Sequence, residues 1–311
     1  MLLITLHLFA CSEEKNSDDT AEETSQEENQ EETQNETEEP PVEDTPQPEE
    51  ETTDSLDCET NIDTDVPLFY QKYFQCVDIT MSGDDVVISS DGLPQHNTYY
   101  YGQGHENFVE FDTQGGQHNP NPNRIAAQNH SLTIPSNPVT RTLTIDDDLV
   151  DGAVNTNNNE YGMGTVGLAL DGVSIFNSLA APGDVIENEV FTFDSYNAHP
   201  EMSGNYHYHT DSTGPLEVLE FLGHVSDTTP GQAELEIYGM MCDGTVVMGC
   251  TELDRSEPNN SDFDAQNGHK HDLSDDEHTH FEDRYHVHIC TETYTNFLFT
   301  PEIQYYENCG N

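Results

Sequence analysis

Positive charge is almost missing from this chain: its 311 residues include 7 Lys+Arg against 62 Asp+Glu, a formal net charge of −55. So few cations cannot form a patch that follows a phosphate backbone, which excludes nucleic acid as a partner and makes cations the natural counterpart. Long apolar runs are missing too, and the N-terminal "MLLITLHLFAC" is too short to span a bilayer. No Cys-x-x-Cys occurs, which argues against a thiolate zinc site or a thioredoxin-like redox centre. Gly-x-Ser-x-Gly and His-Glu-x-x-His are also absent, removing the serine-hydrolase elbow and the zincin helix.

What is present begins with an address. The short apolar run reads as an export signal over residues 1–11, although no Lys or Arg precedes it. Leu8-Phe9-Ala10-Cys11 resembles the lipobox of bacterial lipoproteins, which implies acylation of Cys11 and a membrane contact through lipid. Residues 12–57 are rich in Glu, Gln, Thr and Pro, with about twenty acidic side chains and almost no large apolar ones. Such a segment buries too little surface to offset chain entropy and is expected to be a disordered acidic stalk. Ser12 after the cysteine resembles the sorting signal for the outer membrane, so the expected location is the cell envelope, at the outer membrane or cell surface.

From residue 58 to 311 the pattern changes. Cys58, Cys76, Cys242, Cys250, Cys290 and Cys309 form an even set in a chain that reads as exported, so disulfides are expected. Of fifteen possible pairings, 58–76, 242–250 and 290–309 is the simplest. Helical periodicity is hard to find, whereas alternating or β-branched runs recur: "DVVISS" (85–90), "RTLTID" (141–146), "TVGLALDGVSIF" (165–176) and "GTVVMG" (244–249). These predict an all-β, sandwich- or barrel-like domain.

The domain repeats itself. "VGLALDGVSIFN" (166–177) aligns with "YGMMCDGTVVMG" (238–249), "FDSYNAH" (193–199) with "FDAQNGH" (263–269), and "YHYH" (206–209) with "YHVH" (285–288). Three elements in one order imply a duplication, with pseudo-repeats at about 162–211 and 235–290. The Asp-Gly pairs within it read as two-residue hairpin turns rather than as site residues.

These elements, with "ISSDGLPQH" (88–96) and "FDSYNAHPEMSGNYHYH" (193–209), resemble the YHYH domain family, and the likeness spans most of 85–309. Two departures stand out: Val287 replaces Tyr208 in the second copy, and residues 270–284 are a His-, Asp- and Glu-rich insertion. The resemblance supplies a domain type and implies no particular activity.

The chemistry lies in His-x-His. On a strand, side chains two apart share a face, so His207 and His209 point one way and Tyr206 and Tyr208 the other; His286 and His288 behave alike. Paired imidazoles suit zinc or copper and poorly suit calcium or magnesium. The four imidazoles either converge on one ion, or each pair joins His199 or His269 around its own. Asp194, Asn197, Asp264 and Asn267 are candidates to orient the ligating rings from behind, or to stabilise hairpins. The segment "HKHDLSDDEHTH" (269–280) adds further His-x-His pairs on what reads as a flexible loop.

Together these features predict a lipid-anchored extracytoplasmic protein whose β domain binds a divalent transition metal. Two rivals remain: a metal-dependent hydrolase of a surface or extracellular polymer, and a structural or adhesive domain with no metal. No protein or polymer partner is readable from the residues.

Overall fold

A computed structural model describes residues 56–150, 159–180, 185–290 and 298–309. Cys11, the export signal and nearly all of the expected stalk lie outside the described residues.

The domain is mainly β, as the alternating runs predict, and is built on two sheets. The smaller holds β1 (Asn61–Ile62), β2 (Asp78–Ser82), β3 (Asp85–Ser90) and β4 (His130–Pro135) in that order. β3 is the "DVVISS" run: Val86 and Ile88 alternate inward and meet Ile79 and Ile134 in the core. "RTLTID" departs from expectation. Ile145 is buried, but the segment joins no strand, and the nearest bridge pairs the residue before it, Thr140, with Tyr306. Arg141 instead spends its guanidinium on Tyr306 O (2.8 Å) and Gln304 Oε1 (2.7 Å), so the segment is tied to the C-terminal chain without joining a ladder.

The larger sheet has eight strands. They are β5 (Gly167–Ala169), β6 (Ser174–Ile175), β7 (Ala198–Pro200), β8 (Tyr206–Tyr208), β9 (Ile237–Met241), β10 (Val246–Met248), β11 (Gly268–Ser274) and β12 (Thr279–His288). Their order, β11-β12-β10-β9-β5-β6-β8-β7, reads as one pattern of four strands written twice outward from the middle. In each half an antiparallel hairpin is followed by a parallel step and then an antiparallel one. The halves meet where β5 pairs antiparallel with β9: Gly167 with Met241, Leu168 with Met240, Ala169 with Gly239. The repeat alignment equates Leu168 with Met240, so the register sets a pseudo-twofold axis through that pair, normal to the sheet. Both copies therefore present equivalent side chains on the same face.

The turns repeat as well. Asp171-Gly172 and Asp243-Gly244 close the two hairpins, with the glycines at φ 77° and 98° and the Asp side chains accepting from Val173 N and Thr245 N. In Phe-Asp-x-x-Asn-x-His, Asp194 Oδ1 accepts from Tyr196 N (2.9 Å) and Asp264 Oδ1 from Gln266 N (3.1 Å). The asparagines Asn197 and Asn267 sit at φ 55° and 58°, a conformation that Asn tolerates better than most residues.

Three disulfides brace the domain. Cys58–Cys76 matches the simplest pairing, whereas the other four cysteines pair as Cys242–Cys309 and Cys250–Cys290. Nearest-neighbour pairing fails because the parallel β10–β12 step brings Cys250 and Cys290 to adjacent strand ends. The 270–284 insertion is also no loose loop. It forms the outer arms of the β11–β12 hairpin, with Lys270 opposite Tyr285 and His271 opposite Arg284.

Candidate metal centres

The register that builds the sheet also assembles the histidines. β7 and β8 set His199 opposite His207, and His209 follows two residues on, so three rings share one face. All three are buried, at 6%, 2% and 1% exposure. His207 Nδ1 donates to Asn205 O (2.9 Å) and His209 Nδ1 to Asn177 O (2.7 Å). Thr192 Oγ1 donates to Glu189 O (2.8 Å), so it accepts from His199 Nδ1 (2.5 Å). Carbonyl oxygens only accept, so each Nδ1 carries its hydrogen and each Nε2 is left with a bare lone pair. The three ligand atoms lie within 4.8 Å of one another. Phe176 stacks on His207 at 3.6 Å and Phe193 lies parallel to His209 at 5.8 Å, fixing the ring planes.

The Nε2 atoms of His207 and His209 are 3.0 Å apart. Two bare lone pairs at that distance repel unless a cation or a proton sits between them. A proton is disfavoured. Burial, and then the neighbouring imidazoles, hold His207 and His199 well below the ordinary histidine range, and burial brings His209 down to about 4. A metal ion satisfies the same atoms without that cost.

The second copy repeats the geometry and adds to it. β11 and β12 set His269 opposite His286, with His288 two residues on. His286 Nδ1 donates to Arg284 O (3.1 Å) and His288 Nδ1 to Gly249 O (2.8 Å), the counterparts of Asn205 and Asn177. Phe263 lies over His288 at 5.2 Å, as Phe193 does over His209. Here a carboxylate enters. Glu252 Oε1 is 3.1 Å from His269 Nε2 and 3.5 Å from His288 Nε2, and Oε2 is 3.2 Å from both His286 Nε2 and His271 Nε2. Four donors about 2.0–2.1 Å from one ion stand about 3.3–3.4 Å apart at the corners of a tetrahedron. Glu252 Oε2 and His286 Nε2 are buried and close, yet neither completes a hydrogen bond among the described residues. Their lone pairs converge on a shared point, which a cation fits and a hydrogen bond does not. Burial pushes the Glu252 carboxyl up, but the imidazoles of His269, His286 and His288 outweigh it and hold the group far below the usual range. Burial also brings His286 down to about 4.

All six candidate histidines thus fall into two triads. The triads are five strand steps apart, about 24 Å at about 4.8 Å per step, so convergence on a single ion is geometrically ruled out. The acids and amides expected behind the rings lie elsewhere. Asp194 Oδ2 accepts from Tyr206 Oη (2.8 Å) and Asp264 Oδ2 from Tyr285 Oη (2.6 Å), on the opposite face of the strand. Asn197 Nδ2 donates to Asp211 O (3.0 Å), and Asn267 O accepts from His288 N (3.0 Å). Backbone carbonyls and Thr192 orient the rings instead. The Tyr-to-Val difference is matched by different partners: Tyr208 Oη donates to Asp171 Oδ2 (2.8 Å), whereas Asp243 Oδ2, its counterpart, accepts from Tyr306 N (3.0 Å) and has Tyr161 beside it.

Sequence reasoning missed Glu252 and Glu189. Glu252 lies three residues past Gly249, where the first copy has Ala180, so comparing the copies hides it as a mismatch. Glu189 Oε2 lies 3.6 Å from the Nε2 atoms of both His199 and His209 and comes from a segment with no counterpart carboxylate role in the second copy.

No curated protein and no solved structure matches the chain. A family model described as "YHYH protein" matches residues 131–252, taking in the whole first triad and ending at Glu252, with the second-triad histidines beyond it. The chain carries a YHYH domain, and its name-giving strand, Tyr206-His207-Tyr208-His209, supplies two of the three imidazoles of the first centre.

Proposed function

We propose that this is the metal-binding domain of an extracytoplasmic lipoprotein, holding one transition metal ion on each histidine triad. The observation that carries the reading is the convergence of buried Nε2 atoms, the bare pair of His207 and His209 at 3.0 Å in one copy, and His269 and His288 at 3.3 Å around the Glu252 carboxylate in the other. Imidazole donors favour zinc or copper, and the Glu252 carboxylate suits zinc in the second centre. The chain's residues hold the rings in one tautomer, exclude water from their backs and fix the spacing.

Export and anchoring rest on the Leu-Phe-Ala-Cys11 motif and are supported by six cysteines paired as three disulfides. In the producing cell, Cys11→Ser should move the protein from the membrane to the soluble fraction, because stable anchoring depends on that thiol. Unchanged fractionation would remove the lipoprotein reading.

A second reading, hydrolysis of a surface polymer, is favoured by Glu189, a carboxylate placed beside two ligands of the first centre where it could take a proton from metal-bound water. Elemental analysis of untagged protein tests the shared premise: about two ions per chain are expected, and metal-free protein of normal stability would support the structural alternative.

A further inference from the structure

The two centres share a frame but not a coordination sphere. In the second, Glu252 follows Gly249, whose carbonyl accepts from His288 Nδ1, by three residues and brings its carboxylate within 3.1–3.5 Å of the imidazoles. In the first, the residue three past Asn177 is Ala180, which has no donor to offer. Cavities border both centres, but in the first no side chain stands in the Glu252 position. A pocket of about 660 Å³ opens on His199, His207 and His209, with Met163, Phe176, Leu179, Pro200 and Met202 among its walls. Met163 and Met202 are 56% and 92% exposed at its mouth. Glu189 also lines the pocket, its Oε2 3.6 Å from the Nε2 atoms of His199 and His209, but it does not group with all three imidazoles as Glu252 does in the second copy. The Cys250–Cys290 disulfide further fixes the second centre, joining the residue after Gly249 to the second residue past His288. Its counterpart to Cys250 in the first copy is Ser178.

We propose that the first centre keeps an exchangeable coordination position and takes a small neutral weak acid with an apolar tail, whereas the second is closed by Glu252 and binds no outside ligand. The proposal rests on the two-metal reading above. The pocket wall fixes the apolar tail by burial. The strongly acidic protein disfavours ligands that arrive as anions, so the donor must arrive protonated. A hydroxamic acid is the simplest such molecule. Its O–H proton passes to the Glu189 carboxylate, giving a neutral carboxylic acid, and the resulting hydroxamate oxygen takes the fourth position. No electron changes hands, and the proton is conserved.

The test uses the full mature chain loaded with cobalt(II), whose visible spectrum reports a change of ligand. Metal content is measured first, and two ions per chain are expected. Octanohydroxamic acid should then perturb the spectrum to an end point of one equivalent per chain, and should bind at least about tenfold more tightly than acetohydroxamic acid, since each buried methylene adds affinity. Ala180→Glu should abolish the response with two cobalt ions still bound. Glu189→Gln should weaken octanohydroxamic acid at least about tenfold but leave binding of neutral imidazole, whose bare nitrogen coordinates without losing a proton, within about twofold. Two cobalt ions with no response, or with two equivalents bound, would overturn this inference and leave the metal reading standing. Equal affinity for the long and short acids, or equal loss of imidazole in Glu189→Gln, would overturn the ligand class. Failure to bind cobalt would overturn both readings.

Discussion

Leu168 and Met240 pair directly at the centre of the eight-stranded sheet, and each is the other's counterpart in the duplication. Every candidate histidine of one centre therefore has its twin at the same remove on the other side, on the same face, whereas Glu252 has none. Symmetry of this kind multiplies a site without merging it. Replacing His199, His207 and His209 with Ala should remove one of two bound ions and leave the second, and the set His269, His286 and His288 should do the reverse. Metal content per chain checks this. Loss of both ions from either variant would contradict two independent centres.

Glu252 should separate the two proposed centres in affinity. Glu252→Gln should weaken the second ion by at least about tenfold, because even changes to residues behind a ligand cost 10–100-fold. Competition with a chromophoric chelator should then show one tight and one weakened ion, where an unchanged pair would place Glu252 outside the coordination sphere.

The pH response follows from burial. His209 and His286 are held down to about 4 in the folded protein against an unfolded value near 6.5. Their contribution to stability is full above about pH 6.5 and is lost as pH falls toward about 4. Asp171 and Asp194, pushed by burial up to about 6, act the other way: they are protonated in the folded state over the range where unfolded carboxyls ionise, and so stabilise as pH falls below about 6. Over this range Glu252 stays ionised, so the pH dependence of metal retention comes from the histidines. Both ions should stay bound at about pH 6, where free histidine is already mostly protonated, and should leave as pH falls toward about 4. Release centred near pH 6.5 would show that the imidazoles are solvated rather than buried.

Cys250–Cys290 closes a loop of 40 residues around the second centre. Replacing both with Ser should cost about 4 kcal/mol of stability on the chain-entropy model, and should weaken the second ion more than the first. Denaturant unfolding with metal titration reads both effects, and equal weakening of the two ions would assign the disulfide a global role only.

Much of the site was legible because strands obey a simple period. His-x-His fixes two rings on one face, and the aligned Phe-Asp-x-x-Asn-x-His brings His199 and His269 with them. The hairpin turns at Asp171-Gly172 and Asp243-Gly244 were readable for the same local reason. What failed was non-local. Glu252 and Glu189 reach the imidazoles from connections whose paths the pattern does not encode. The pairing of Cys250 with Cys290 depends on a parallel strand step that sequence proximity does not suggest. Asp194 and Asp264 sit next to the right residues in sequence, but the turns that hold them aim their carboxylates at the tyrosines. "RTLTID" alternates like a strand, yet Arg141 finds its partners in the C-terminal chain and the ladder never forms. The 270–284 segment reads as loose because it is polar, although its two halves pair with each other across a hairpin.

The most direct measurement is native mass spectrometry of the untagged protein, purified from the oxidising compartment without chelator. The account requires the mass of the disulfide-bonded chain plus two transition metal ions, falling to one ion when either triad is replaced by Ala. A chain that carries no ion, and whose melting temperature is the same before and after treatment with a strong chelator, would contradict it.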